Sequence, residues 1–88
     1  MRRLDLTRDA LKFLDELPPR QFKQVTTTIL GLLREPEPHD ARLLKGYDYR
    51  RVDVGEYRVI YDFAEEEIRV LLIGQRNDDA VYQALRRK

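Results

Sequence analysis

The chain has no cysteine, which excludes a disulfide framework, a thiolate metal site and a cysteine nucleophile together. It has one histidine, His39, too few to build a zinc cluster. It lacks any apolar run near the roughly 20 residues of a membrane span, and its first residues carry no signal-peptide core. It also lacks an excess of either charge: seventeen Lys and Arg face sixteen Asp and Glu, a net charge of +1. Net charge alone therefore does not announce a nucleic-acid binder. The expected compartment is the cytoplasm, with no membrane partner.

What is present is a short, charge-rich chain with enough apolar residues to fold. Its 88 residues allow one domain, 1–88, with one modest core. Hydrophobic residues make up 42% and charged residues 38%, a balance of folded proteins rather than disordered tails. Only four of the seventeen basic residues are Lys. Arginine's planar fork matches phosphate oxygens, so this bias points weakly to phosphate, but on composition alone a solvated charged surface is the favoured reading.

Periodicity orders the elements. Residues 2–6 alternate and read as a first strand at a sheet edge. Thr7 is placed to cap a helix over about 8–17, with Asp9 in its first turn and Ala10, Leu14 and Leu17 as its stripe, widened by Leu11 and Phe13. Pro18-Pro19 breaks the chain and opens a second helix to about residue 34, with Phe22, Val25, Ile29, Leu32 and Leu33 on one side. Residues 36–48 read as irregular, and His39 within them as a surface residue rather than a catalyst. Strands follow over 49–54, 57–63 and 68–73, and a last short helix over 80–86, capped by Asp78 or Asp79. The order β-α-α-β-β-β-α predicts an α+β two-layer domain, with a helical hairpin packed on an antiparallel sheet and the other sheet face left for function.

Strand alternation then sorts the arginines. Val52 and Val54 should face the helices together with Arg50, so Arg51 and Asp53 should face away. Tyr57, Val59, Tyr61 and Phe63 form the more apolar set of the next strand, so Arg58 should also face away. In the last strand, alternation does not decide between Ile68, Val70 and Leu72 and their neighbours Arg69, Leu71 and Ile73. The expected patch is Arg51, Arg58, Arg76 and Tyr82. Guanidiniums crowded together need an anion, or else each pairs with a carboxylate such as Asp53, Asp62 or Asp78.

Three elements in series resemble the RelE/ParE toxin superfamily of bacterial type II toxin–antitoxin systems. They are Leu44-Lys45-Gly46, then Gly55-Glu56-Tyr57-Arg58-Val59-Ile60-Tyr61, then Ile73-Gly74-Gln75-Arg76 followed by Val81-Tyr82. With the helical hairpin before them, the resemblance extends over nearly the whole chain. It implies one of two activities. RelE-like members are ribosome-dependent endoribonucleases that cut mRNA in the decoding site, whereas ParE-like members inhibit DNA gyrase. A member that has lost its chemistry and survives as a binding module is a third outcome. The C-terminal tyrosine favours the nuclease branch.

On that branch the resemblance implies Arg58, Arg76 and Tyr82 as catalytic residues and Lys45, Arg50 and Arg51 as substrate-binding residues. It implies no metal and no cofactor. The partners would be a cognate antitoxin, the ribosome and mRNA. The RNA 2′-OH attacks the adjacent phosphate, leaving a 2′,3′-cyclic phosphate and a 5′-OH. Arginines suit the charge that develops on phosphorus and on the leaving oxygen. Tyrosine, with an ordinary pKa of about 10, is a weak base at neutral pH and needs nearby cations, or else it orients or stacks. Asp53 departs from the pattern: the nuclease branch often carries a basic residue there. A carboxylate at that point would neutralise Arg51 and repel a phosphate.

Overall fold

The computed structural model describes residues 2–76 together with 82, 83 and 86. The chain runs β1 (Arg3–Leu6), α1 (Arg8–Asp15), α2 (Pro19–Arg34), β2 (Arg42–Leu43), β3 (Arg50–Val54), β4 (Tyr57–Ala64) and β5 (Glu67–Gln75). Among the described residues the strands form one sheet in the order β1-β5-β4-β3-β2, and α1 and α2 cover one of its faces. The α+β two-layer expectation holds. Of the expected last helix, Tyr82, Gln83 and Arg86 have helical backbone; its remainder, with Asp78 and Asp79, lies outside the described residues.

Two features of the sheet differ from the sequence reading. The sheet is mixed rather than antiparallel, because β1 pairs parallel with β5. Alternation reports which way a side chain faces and not which strand lies beside it, and this partner is more than sixty residues away. The irregular stretch also contains a two-residue strand, β2, antiparallel to β3. Arg42 and Leu43 are too few, and too exposed, to show a period.

The helices form where local chemistry directs. The Thr7 side chain accepts from the Ala10 N–H at 3.2 Å and caps α1. Pro19 opens α2 at a position where its missing N–H costs nothing. Ala10, Leu14, Val25, Ile29 and Leu32 are buried against Val52, Val59, Tyr61, Ile68 and Val70 of the sheet. Leu11 and Phe22, expected in the apolar stripes, are instead exposed. Gly55 turns the β3–β4 hairpin at φ +59°, a conformation that disfavours other residues.

One irregularity decides what the last strand presents. Tyr61 pairs with Val70 and Ile60 with Leu72, so Leu71 is an extra residue in β5. Before it, Ile68 and Val70 face the helices; after it, Ile73 does. Leu71 and Leu72 both join Leu44 and Ile60 in a second buried cluster, on which Tyr47, Tyr49 and Tyr82 pack. The face opposite the helices is therefore not bare. It carries a small apolar floor of its own. The Leu71 carbonyl accepts from the Thr7 hydroxyl at 2.6 Å, which ties the bulge to the helical layer.

Candidate active site

The cross-strand register places Asp53 directly opposite Arg58, and Arg58 opposite Gly74. Arg51 lies two residues before Asp53 on the same face. Arg58 Nε donates to Asp53 Oδ1 at 2.7 Å and Nη2 to Oδ2 at 3.2 Å. Its Nη1 donates to the Tyr82 hydroxyl. Arg51 Nη1 reaches Asp53 Oδ2 more loosely, at 3.5 Å. Arg51 and Arg58 thus lie on the face away from the helices, as alternation predicts, and the Tyr82 hydroxyl meets Arg58 there from beyond the last strand. Asp53 pairs chiefly with Arg58, where the sequence reading gave it to Arg51. The directly opposed pair in an antiparallel ladder is closer than two residues along one strand.

The electrostatics follow from these contacts. The hydrogen bond from Arg58 holds the Asp53 carboxyl below its ordinary value. Partial burial opposes this, and the charges of Arg58, Arg51 and Arg76 assist it. The Asp53 carboxylate raises Arg58 in turn, with the Tyr82 hydroxyl helping. Only 15% of the Arg58 side chain is exposed. Arg76, the third catalytic candidate, stands at the edge of the cluster. Arg76 follows β5 directly. Its N–H donates to the Glu56 carbonyl at 3.0 Å and its Nη1 to the Gly55 carbonyl at 3.3 Å, so it sits over the β3–β4 turn and acts on Asp53 through charge alone.

A cleft of about 590 Å³ opens beside this cluster, lined by Leu43, Leu44, Lys45, Tyr47, Arg51, Tyr82 and Arg86. That size suits a small ligand such as a single nucleotide. Lys45 stands in its wall. Arg50 does not. It lies on the helix side of β3, with Nη2 2.9 Å from Glu37 Oε2 and its guanidinium 5.2 Å from the Phe63 ring centroid. Its substrate-binding assignment is therefore corrected: strand alternation puts it on the opposite face from Arg51. Tyr47 and Arg86 line the cleft as well, and no pattern in the sequence marks them as strongly as the other lining residues. Tyr47 stacks on Tyr49, with ring centroids 5.8 Å apart, after a tight turn at Gly46 (φ +85°). The Tyr-Asp-Tyr spacing following a glycine was the available signal.

Comparison with known proteins identifies the fold and the family. The RelE of the archaeal RelE–RelB complex from Pyrococcus horikoshii is 28% identical, with a TM-score of 0.75 over 85% of this chain and 94% of that one. RelE in the intact E. coli RelBE complex is 22% identical, with a TM-score of 0.74 over 85% of this chain and 96% of its own. The isolated E. coli RelE toxin is 22% identical, with a TM-score of 0.74 over 99% and 98%. No curated protein sequence matches. The family model for the ParE toxin of the parDE type II toxin–antitoxin system matches residues 4–80. The chain belongs to the ParE toxin family of type II toxin–antitoxin systems, within the RelE/ParE superfamily, and has the RelE fold.

Proposed function

We propose that the protein is a RelE-type toxin that cleaves mRNA on the ribosome in the cytoplasm and is held inactive by a cognate antitoxin. The observation that carries this reading is the contact of the Arg58 guanidinium with the Tyr82 hydroxyl, at the rim of a cleft walled by Lys45, Arg51 and Arg86. A scissile phosphate beside Arg58, with Arg76 approaching from the hairpin turn, would have two guanidiniums to offset the charge of the phosphorane. The 2′-oxygen bonds to phosphorus as the bond to the 5′-oxygen breaks. In this reading Tyr82 takes or orients the 2′-OH proton, or stacks on a base. Lys45 and Arg51 hold the flanking backbone. A site with so little acid–base equipment suits an enzyme whose substrate arrives already aligned.

The antitoxin follows from the same family. The P. horikoshii and E. coli relatives were solved as complexes with RelB. Here Leu11, Phe22 and Leu30 leave apolar side chains exposed on the helical layer, which an amphipathic segment of an antitoxin could cover. A gyrase-inhibiting toxin without chemistry is the second reading. It is favoured by the carboxylate already clamped on Arg58. Mapping mRNA 5′ ends on translating ribosomes after expression separates the two. Ends phased to the decoding site support the nuclease. Intact mRNA with trapped gyrase–DNA complexes supports the second reading and removes the first.

A further inference from the structure

Arginine offers five N–H groups in a planar fork. In Arg58 the Nε–Nη2 edge of that fork is taken by the two oxygens of Asp53, and Nη1 by the Tyr82 hydroxyl. A phosphodiester and a carboxylate both carry one negative charge at neutral pH. Both present paired oxygens that fit the same edge of a guanidinium. We infer that Asp53 is an internal competitor for the RNA phosphate: its carboxylate occupies the anion seat of Arg58, and a phosphate enters only in exchange for it. The identity of the ligand rests on the nuclease reading above; the occupied seat does not.

The geometry also provides a way out for the carboxylate. Asp53 Oδ2 is shared, 3.2 Å from Arg58 Nη2 and 3.5 Å from Arg51 Nη1. A swing towards Arg51 keeps Asp53 partnered and releases the Nε–Nη2 edge. The Asp53 side chain is 29% exposed, so water can also take up its oxygens. The exchange runs by displacement and not by protonation. Hydrogen bonding from Arg58 keeps the carboxyl below its ordinary value of 3.8, so it stays charged at neutral pH. Isolated RNA would then hold weakly to the free protein. Binding energy from elsewhere, such as mRNA fixed on a ribosome, would drive the carboxylate off. A brace that merely aims Arg58 predicts the opposite: removing its charge would weaken RNA binding.

Fluorescence anisotropy with a labelled 2′-O-methyl RNA trinucleotide, which lacks the nucleophile, reads this exchange on the intact chain. Asp53→Asn keeps the shape and one acceptor oxygen while removing the charge; Asp53→Ser replaces it if the Asn variant does not fold. The expected result is binding tighter by about tenfold, the effect of removing one charge repulsion beside the seat. Asp62→Asn removes a carboxylate that faces Arg69 at 3.8 Å, away from the seat, and should stay within about twofold of wild type. Adding Arg58→Ala to Asp53→Asn should erase the gain. Unchanged or weaker binding by the Asp53 variant overturns the inference, as does an equal gain from Asp62→Asn. Ribosome-dependent cleavage by the same proteins tests the nuclease reading separately. Tighter binding with no cleavage by either protein removes the nuclease and leaves the seat; cleavage by wild type without tighter binding removes the seat and leaves the nuclease.

Discussion

Tyr61 allows a prediction whose size can be worked from the structure. The side chain is fully buried beneath the helices, and its hydroxyl donates to the Pro36 carbonyl at 2.7 Å. Tyr61→Phe removes this bond and little else, at a cost of about 1–1.5 kcal/mol at neutral pH. The phenol also titrates. Burial is the main cause that pushes its pKa up from 10.0 to about 12; Arg50 pulls the other way but loses, and Glu37 and Asp40 add to the rise. The folded state thus keeps the proton where the unfolded chain releases it. This contribution is complete below pH 10 and is lost as pH climbs towards 12. One pKa unit is 1.36 kcal/mol, so about 1.4 kcal/mol is gone by pH 11 and about 2.7 kcal/mol above pH 12. The phenylalanine variant has no such loss. Urea unfolding followed by far-UV circular dichroism should show wild type ahead by about 1–1.5 kcal/mol at pH 8 and the two proteins level near pH 11. Groups common to both cancel in the difference. A gap of the same size at both pH values would refute the reasoning.

Other outcomes are expected. Thr7→Ala loses both the cap of α1 and the bond to the Leu71 carbonyl; thermal melts should report a loss of about 1–2 kcal/mol, with Thr7→Ser recovering most of it. Gly31→Ala should stabilise by about 0.5–1 kcal/mol in the same assay, because its methyl group meets nothing within 4 Å inside α2. Arg58→Ala should lower ribosome-dependent cleavage by about 100-fold or more with an unchanged circular dichroism spectrum, and Arg76→Ala should relieve growth arrest. Tyr82→Phe keeps the ring and removes the hydroxyl; undiminished cleavage would eliminate Tyr82 as the proton acceptor.

Much of this layout is legible in the chain, and the exceptions have physical causes. Alternation in β3 and β4 sorts Arg51, Asp53 and Arg58 onto one face correctly, because Val52, Val54, Val59 and Tyr61 mark the other. The same rule fails in β5, where one additional residue breaks the period and apolar side chains line both sides. Arg50 shows the limit of a basic run as a signal. It adjoins Arg51 in sequence, yet a neighbour in a strand points the other way, and it pairs with Glu37 instead. The partner of Asp53 depends on cross-strand register, which hairpin geometry sets and composition does not. Tyr47 has no periodic signature, because its position comes from stacking on Tyr49 and from the fold of the segment after Leu44.

The extra leucine at position 71 is dispensable to the ladder it interrupts. A shortened chain without it could keep Tyr61 against Val70 and Ile60 against Leu72, so every rung of the hairpin would survive. The loss would fall on the other side: the platform under Tyr47, Tyr49 and Tyr82 would lose one of its four buried side chains, and the Thr7 hydroxyl its acceptor. Position 71 therefore serves the second apolar layer and the entry to α1 together: without it the floor beneath Tyr82 and the start of the first helix would loosen at once, while the strand pairing stayed in register.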